Sequence, residues 1–132
     1  MCLALSNLQT RTLAKGEHAG FEWQIVHNES GYRCGYIKLL AGHPWFAKGY
    51  DDIDCDVHGG LTFAEYGTAC QTHGEAEEWW VGFDCAHSGD APDPSLPGPR
   101  GPRYRFSSEV IRTTPYVEAE CLRLAEQAFS AR

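Results

Sequence analysis

Two short stretches hold most of the side chains able to do chemistry: Val57-His58-Gly59-Gly60-Leu61-Thr62 and Trp79-Trp80-Val81-Gly82-Phe83-Asp84-Cys85-Ala86-His87-Ser88-Gly89-Asp90. His58, Asp84, His87 and Asp90 are the residue types a divalent ion needs, since neutral imidazoles and carboxylates bind it and an open position activates a water. Without metal, Asp84 would orient His58 as a general base, which makes these two the candidate catalytic residues. The same stretches suit binding without reaction. Gly59, Gly60, Ser88 and Gly89 would offer main-chain N–H groups to ligand oxygens, Thr62 a hydroxyl, and Trp80 or Trp79 a flat surface for a planar ring. A structural reading stands beside both: His58 and Asp84 as a buried hydrogen-bonded pair that fixes strand register.

These residues need a scaffold. Phe21-Glu22-Trp23-Gln24-Ile25-Val26 alternates apolar with polar side chains, and Tyr32 to Leu39 follows after a polar turn, so the two read as antiparallel strands. Pro44 makes the next stretch irregular, with Trp45, Phe46 and Tyr50 folded back over the sheet. Val57 to Phe63 and Trp79 to Ala86 read as two further strands. Pairing Phe63 with Trp79 sets Thr62 opposite Trp80, Gly60 opposite Gly82, and His58 opposite Asp84. Glycines inside strands suggest close approach by another backbone or a ligand. Tyr104 to Ile111 supplies a last strand. Thr114-Pro115 then starts a helix, with Val117, Cys121, Leu124, Ala125 and Ala128 on the face that docks on the sheet.

Between these elements, Ser88 to Arg103 collects five of the seven prolines with Gly89, Gly98 and Gly101, a composition that allows neither helix nor central strand. It is a plain surface loop or a lid, and Arg100 and Arg103 give a lid something to hold: the oxygens of an anionic ligand. Asp51, Asp52, Asp54 and Asp56 read as a solvated acidic loop, because the twelve-residue calcium-loop pattern is missing.

Composition bounds the function classes. A chain of 132 residues with 42% hydrophobic content makes one domain. The net charge of −7 opposes binding of duplex nucleic acid, which depends on counterion release by a basic surface. No run of apolar residues is long enough to span a membrane, and the first twenty residues lack a signal-peptide pattern, so the expected location is the cytoplasm. Six cysteines in a reducing compartment read mainly as packing. The spacings Cys55/His58, Cys70/His73 and Cys85/His87 are the alternative, as zinc-ligand pairs. Walker, GxGxxG, HExxH and GxSxG patterns are absent.

The combined pattern of Tyr32-Arg33-Cys34-Gly35-Tyr36, Gly42-His43-Pro44, Val57 to Thr62, Trp79 to Asp90 and Tyr116 to Cys121 resembles a family of small proteins encoded by bacteriophages and prophages, which carries no settled activity. The resemblance implies a phage or mobile-element setting and a bacterial host cytoplasm. Because small phage accessory proteins often counter host defence, some by sequestering nucleotide signals, it also implies a nucleotide-like ligand. The expectation is therefore a single α+β domain over residues 1–132, with an antiparallel sheet of about five strands and a C-terminal helix on one face. Its leading function is binding of a small polar, nucleotide-like ligand. Two alternatives stay open: a metal-dependent hydrolase using His58, Asp84, His87 and Asp90, and an inhibitor that binds a host protein without a small-molecule site.

Overall fold

Strand-forming alternation along the first half of the chain produces a sheet, and helical periodicity at the end produces its cover. The structure, a computed structural model, describes residues 11–28, 30–66, 78–96 and 108–132. It contains β1 (Arg11–His18), β2 (Phe21–His27), β3 (Arg33–Leu40), β4 (Phe63–Tyr66), β5 (Glu78–Asp84), β6 (Asp90–Ala91), β7 (Val110–Ile111) and α1 (Thr114–Ser130). The first five strands form one antiparallel sheet in the order β1-β2-β3-β5-β4, while β6 and β7 pair in parallel beside it. The fold is α+β, as the sequence implies.

One face of the sheet makes the main core. Trp23, Ile25, Ile37, Leu39, Val81 and Phe83 point toward α1, which answers with Val117, Cys121, Leu124, Ala125 and Ala128, all of them fully buried. Burying one leucine such as Leu124 contributes roughly 1.5–3 kcal/mol, so this stripe commits the helix to the sheet. Trp45, Ile53 and Val57 close the core from the connecting loop, whereas Tyr50 stays exposed. On the opposite face Val26, Cys34, Tyr36 and Trp80 form a smaller cluster with Phe63. The helix cap falls one residue before the expected Thr114: the Thr113 hydroxyl accepts the Tyr116 N–H at 3.4 Å, with Pro115 in the first turn.

Three expectations are corrected. The sheet's fifth strand is β1; residues 104–107 of the expected strand Tyr104–Ile111 lie outside those described, and of its described residues Val110 and Ile111 pair, with β6 rather than with the sheet. The stretch from Val57 to Thr62 is not a strand, because the Gly60 N–H reaches back to Val57 O at 2.8 Å and closes a turn. Gly59 and Gly60 there adopt φ of +67° and +81°, outside the strand region. Pairing with β5 starts only at Phe63, which faces Gly82, while Tyr66 faces Trp79; the register is three residues away from Phe63 opposite Trp79. His58 therefore does not face Asp84, and the place left by the missing side chain of Gly82 is filled by the Tyr36 ring.

Candidate functional site

Two tight turns meet beside the helix start, and each brings a histidine. In the first, His58 and Gly59 are the central pair between Val57 and Gly60. In the second, the Asp90 N–H donates to His87 O at 2.9 Å, which makes Ser88 and Gly89 the central pair. Both turns carry glycine third, with φ of +67° at Gly59 and +94° at Gly89, as a type II turn demands. The His87 ring lies against Gly59 so closely that a Cβ there would overlap it. The two motifs that stood out in the sequence are thus adjacent, though through turns rather than a hairpin.

Asp90 is the hub. Its side chain is 1% exposed; Oδ1 accepts Arg112 Nε at 2.8 Å, and Oδ2 accepts His58 Nε2 at 2.9 Å and the His87 N–H at 3.0 Å. Burial opposes the negative charge, but the bonds from Arg112, His58 and the His87 N–H outweigh it and hold the carboxyl below its ordinary range. Because a carboxylate only accepts, Nε2 carries the proton of His58. In the neutral ring Nδ1 then accepts from the Tyr116 hydroxyl, 2.8 Å away. Glu120, one helical turn after Tyr116, accepts the His58 main-chain N–H at 2.8 Å, and the Arg112 guanidinium covers the Tyr116 ring.

His87 completes the group differently. Its Nδ1 is buried without a hydrogen-bond partner, 3.5 Å from Asp90 Oδ2 and 3.6 Å from Asp84 Oδ1. One ligand atom each from His58, His87 and Asp90 lie within 4.8 Å of one another, the one such cluster among the described residues. Asp84 stands at the margin, where Oδ1 accepts the Ala86 N–H and Oδ2 the Thr62 hydroxyl, at 3.1 and 3.0 Å. Arg33 locks the surroundings: buried, it donates from Nε to Thr114 Oγ1, from Nη1 to Arg112 O, and pairs through Nη2 with Asp93 at 2.9 Å.

The structure thus unites His58, Gly59, Gly60, His87, Ser88, Gly89 and Asp90, with Asp84 and Thr62 adjoining. Trp80 is not among them; it is buried on the far face of the sheet. Arg100 and Arg103 lie outside the described residues. Arg112, Tyr116 and Glu120 complete the site; Tyr116 and Glu120 fall within the resemblance pattern, but none of the three stood out in the sequence as a site residue. The i, i+4 spacing of Tyr116 and Glu120 on one helix face was the available signal.

The described cysteines do not join. Cys34, Cys85 and Cys121 are buried; burial first, then nearby acidic groups, pushes the thiols of Cys34 and Cys121 up to about 12, and half-buried Cys55 up to about 11. Such thiols stay protonated without a metal, and none of them belongs to the cluster of ligand types. The pair Cys70/His73 lies outside the described residues. A cleft of about 500 Å³ opens elsewhere, between the β1–β2 turn and the loop after β3. Several of its polar groups are already paired: Lys38 with Glu22 and Glu78, and both nitrogens of His43 are hydrogen-bonded. The turn-borne site holds the one cluster of metal-ligand types among the described residues, which is why it is the stronger candidate.

No helix among the described residues is long and apolar enough to cross a membrane. No family model, curated protein or solved structure matches the chain.

Proposed function

We propose that the protein binds a small anionic, nucleotide-like ligand at the paired turns. The observation that carries this reading is the set of main-chain donors at the turn corners. The N–H groups of Gly59, Ser88 and Gly89 make no hydrogen bond among the described residues, and Gly59 and Ser88 are exposed. Unengaged N–H groups on adjacent turns favour an oxyanion, and the partly exposed Arg112 reinforces the preference. The bacteriophage resemblance supports a nucleotide over other anions: in an infected host cytoplasm the protein would withdraw a nucleotide signal from a defence pathway by holding it. Binding without chemical change is the activity.

The test is an NMR titration of the protein with AMP and with inorganic phosphate, in the presence of a chelator. Amide shifts should concentrate at Gly59, Ser88, Gly89 and the two histidines, Arg112→Ala should weaken the response, and AMP should be recovered intact. No shift at these amides up to a ligand concentration of about 10 mM, well above a millimolar dissociation constant, would refute the reading.

A further inference from the structure

We infer that His58, His87 and Asp90 form a binding site for one divalent transition-metal ion of the zinc type. This deepens the ligand-binding reading, because it rests on the same paired turns and adds, beside main-chain donors that act without metal, an ion with an open position. Four observations point to it. The donor set is two imidazoles and a carboxylate, suited to zinc and its neighbours rather than to calcium or magnesium, which prefer all-oxygen shells. Zinc–nitrogen bonds of about 2.0–2.1 Å in a tetrahedron place ligand atoms about 3.3 Å apart. His87 Nδ1 and Asp90 Oδ2 are 3.5 Å apart, and all three ligand atoms fall within 4.8 Å, so small side-chain movements reach that geometry.

The third observation is the buried His87 Nδ1. A polar nitrogen without a partner is costly to leave in place, and a cation between it and Asp90 satisfies it. The fourth is Tyr116. When a metal displaces the Nε2 proton of His58, Nδ1 must carry the remaining proton and donate it outward, as metal-bound histidines do to an outer partner. The Tyr116 hydroxyl, 2.8 Å away, accepts as readily as it donates, so the hydrogen bond reverses polarity and survives. Asp84 is left out of the set because the cluster whose ligand atoms all lie within 4.8 Å of one another is His58, His87 and Asp90. Three protein ligands leave a tetrahedral ion one open position, for water or a ligand oxygen.

The probes are the metals alone. Protein stripped with chelator and exchanged into metal-free buffer is titrated with Zn²⁺ by calorimetry and with Co²⁺ by visible absorption, whose intensity reports low coordination number. One ion per chain is expected, with affinity reduced on the order of 100-fold or more in His87→Ala and about 10-fold in Tyr116→Phe. Circular dichroism checks the fold of each variant, and His87→Ala is the informative one, since its imidazole has no hydrogen bond in the structure to lose. Absence of saturable binding, or equal affinity of a folded His87→Ala, overturns the site. Failure here is separable from failure of nucleotide binding, because metal is measured without nucleotide and nucleotide with chelator present.

Discussion

Replacing Asp90 with Asn tests whether one buried carboxylate organises the whole site. The substitution keeps the shape and removes half of the acceptor capacity. If the amide oxygen takes the place of Oδ2, the NH₂ group confronts Arg112 Nε, donor against donor; if it takes the place of Oδ1, the NH₂ confronts the His87 N–H. His58 escapes either way, by moving its proton to Nδ1 and donating to Tyr116. At least one hydrogen bond is therefore lost. Bonds to charged groups are worth about 1.5–3 kcal/mol, and breaking a fully buried ion pair costs about 3–5 kcal/mol. Arg112 is 26% exposed and rehydrates in part, which places the expected loss at about 2–3 kcal/mol. For a chain of this size that is a fall of roughly 8–12 °C in melting temperature. The assay is urea and thermal unfolding followed by circular dichroism, with Asp84→Asn as the control, expected below about 1 kcal/mol because its partners Thr62 and Ala86 are exposed and reach water. A loss under about 1 kcal/mol for Asp90→Asn, or an equal loss for Asp84→Asn, would refute the argument that Asp90 is the hub.

Two further outcomes follow from the same geometry. Gly59→Ala places a methyl group against the His87 ring on a backbone with φ of +67°; the left-handed conformation alone costs about 1–2 kcal/mol, and the displaced ring should show as large imidazole shifts in NMR, whereas an unmoved His87 spectrum would contradict the contact. Asp90 and Asp93 both have their carboxyl pKa lowered in the fold, where hydrogen bonds, from Arg112 and His58 to the first and from Ser95 and Arg33 to the second, outweigh burial. Their contribution to stability is present above the unfolded-state value of about 3.9 and is lost as pH falls through the folded values, so urea midpoints should hold from about pH 6 to 5 and decline below about pH 4, with a shallower decline in the double variant Asp90→Asn, Asp93→Asn.

How far the sequence could be read depended on the range of the interaction. The helix face from Val117 to Ala128 was legible because its spacing is local, and so was the β2–β3 pair, whose apolar positions flank a short polar turn. Strand β1 was not, since a bulge between Thr12 and Ala14 shifts the register and spoils the alternation. The hairpin register failed for a related reason: Gly59 and Gly60 looked like weak strand positions but are turn positions. That error gave His58 the wrong carboxylate, although Asp90 was already among the candidate ligands. Arg112, Tyr116 and Glu120 stayed hidden because each reaches the site from at least twenty residues away in the chain, a separation over which sequence spacing says nothing about contact.

Arg33 gives the site its persistence. One guanidinium in β3 holds the start of α1, the carbonyl of Arg112 and the segment that follows β6, so the flanks of both Asp90 and Tyr116 are fastened to a central strand. Opening that separates the start of α1 from the segment after β6 must first break the Arg33 fork. The Asp90 hub and the start of the helix then share the lifetime of the sheet, while the unbonded amides of Gly59, Ser88 and Gly89 exchange as a surface turn does. Fragments lacking β3 would carry every site side chain that stands after it and still have no site.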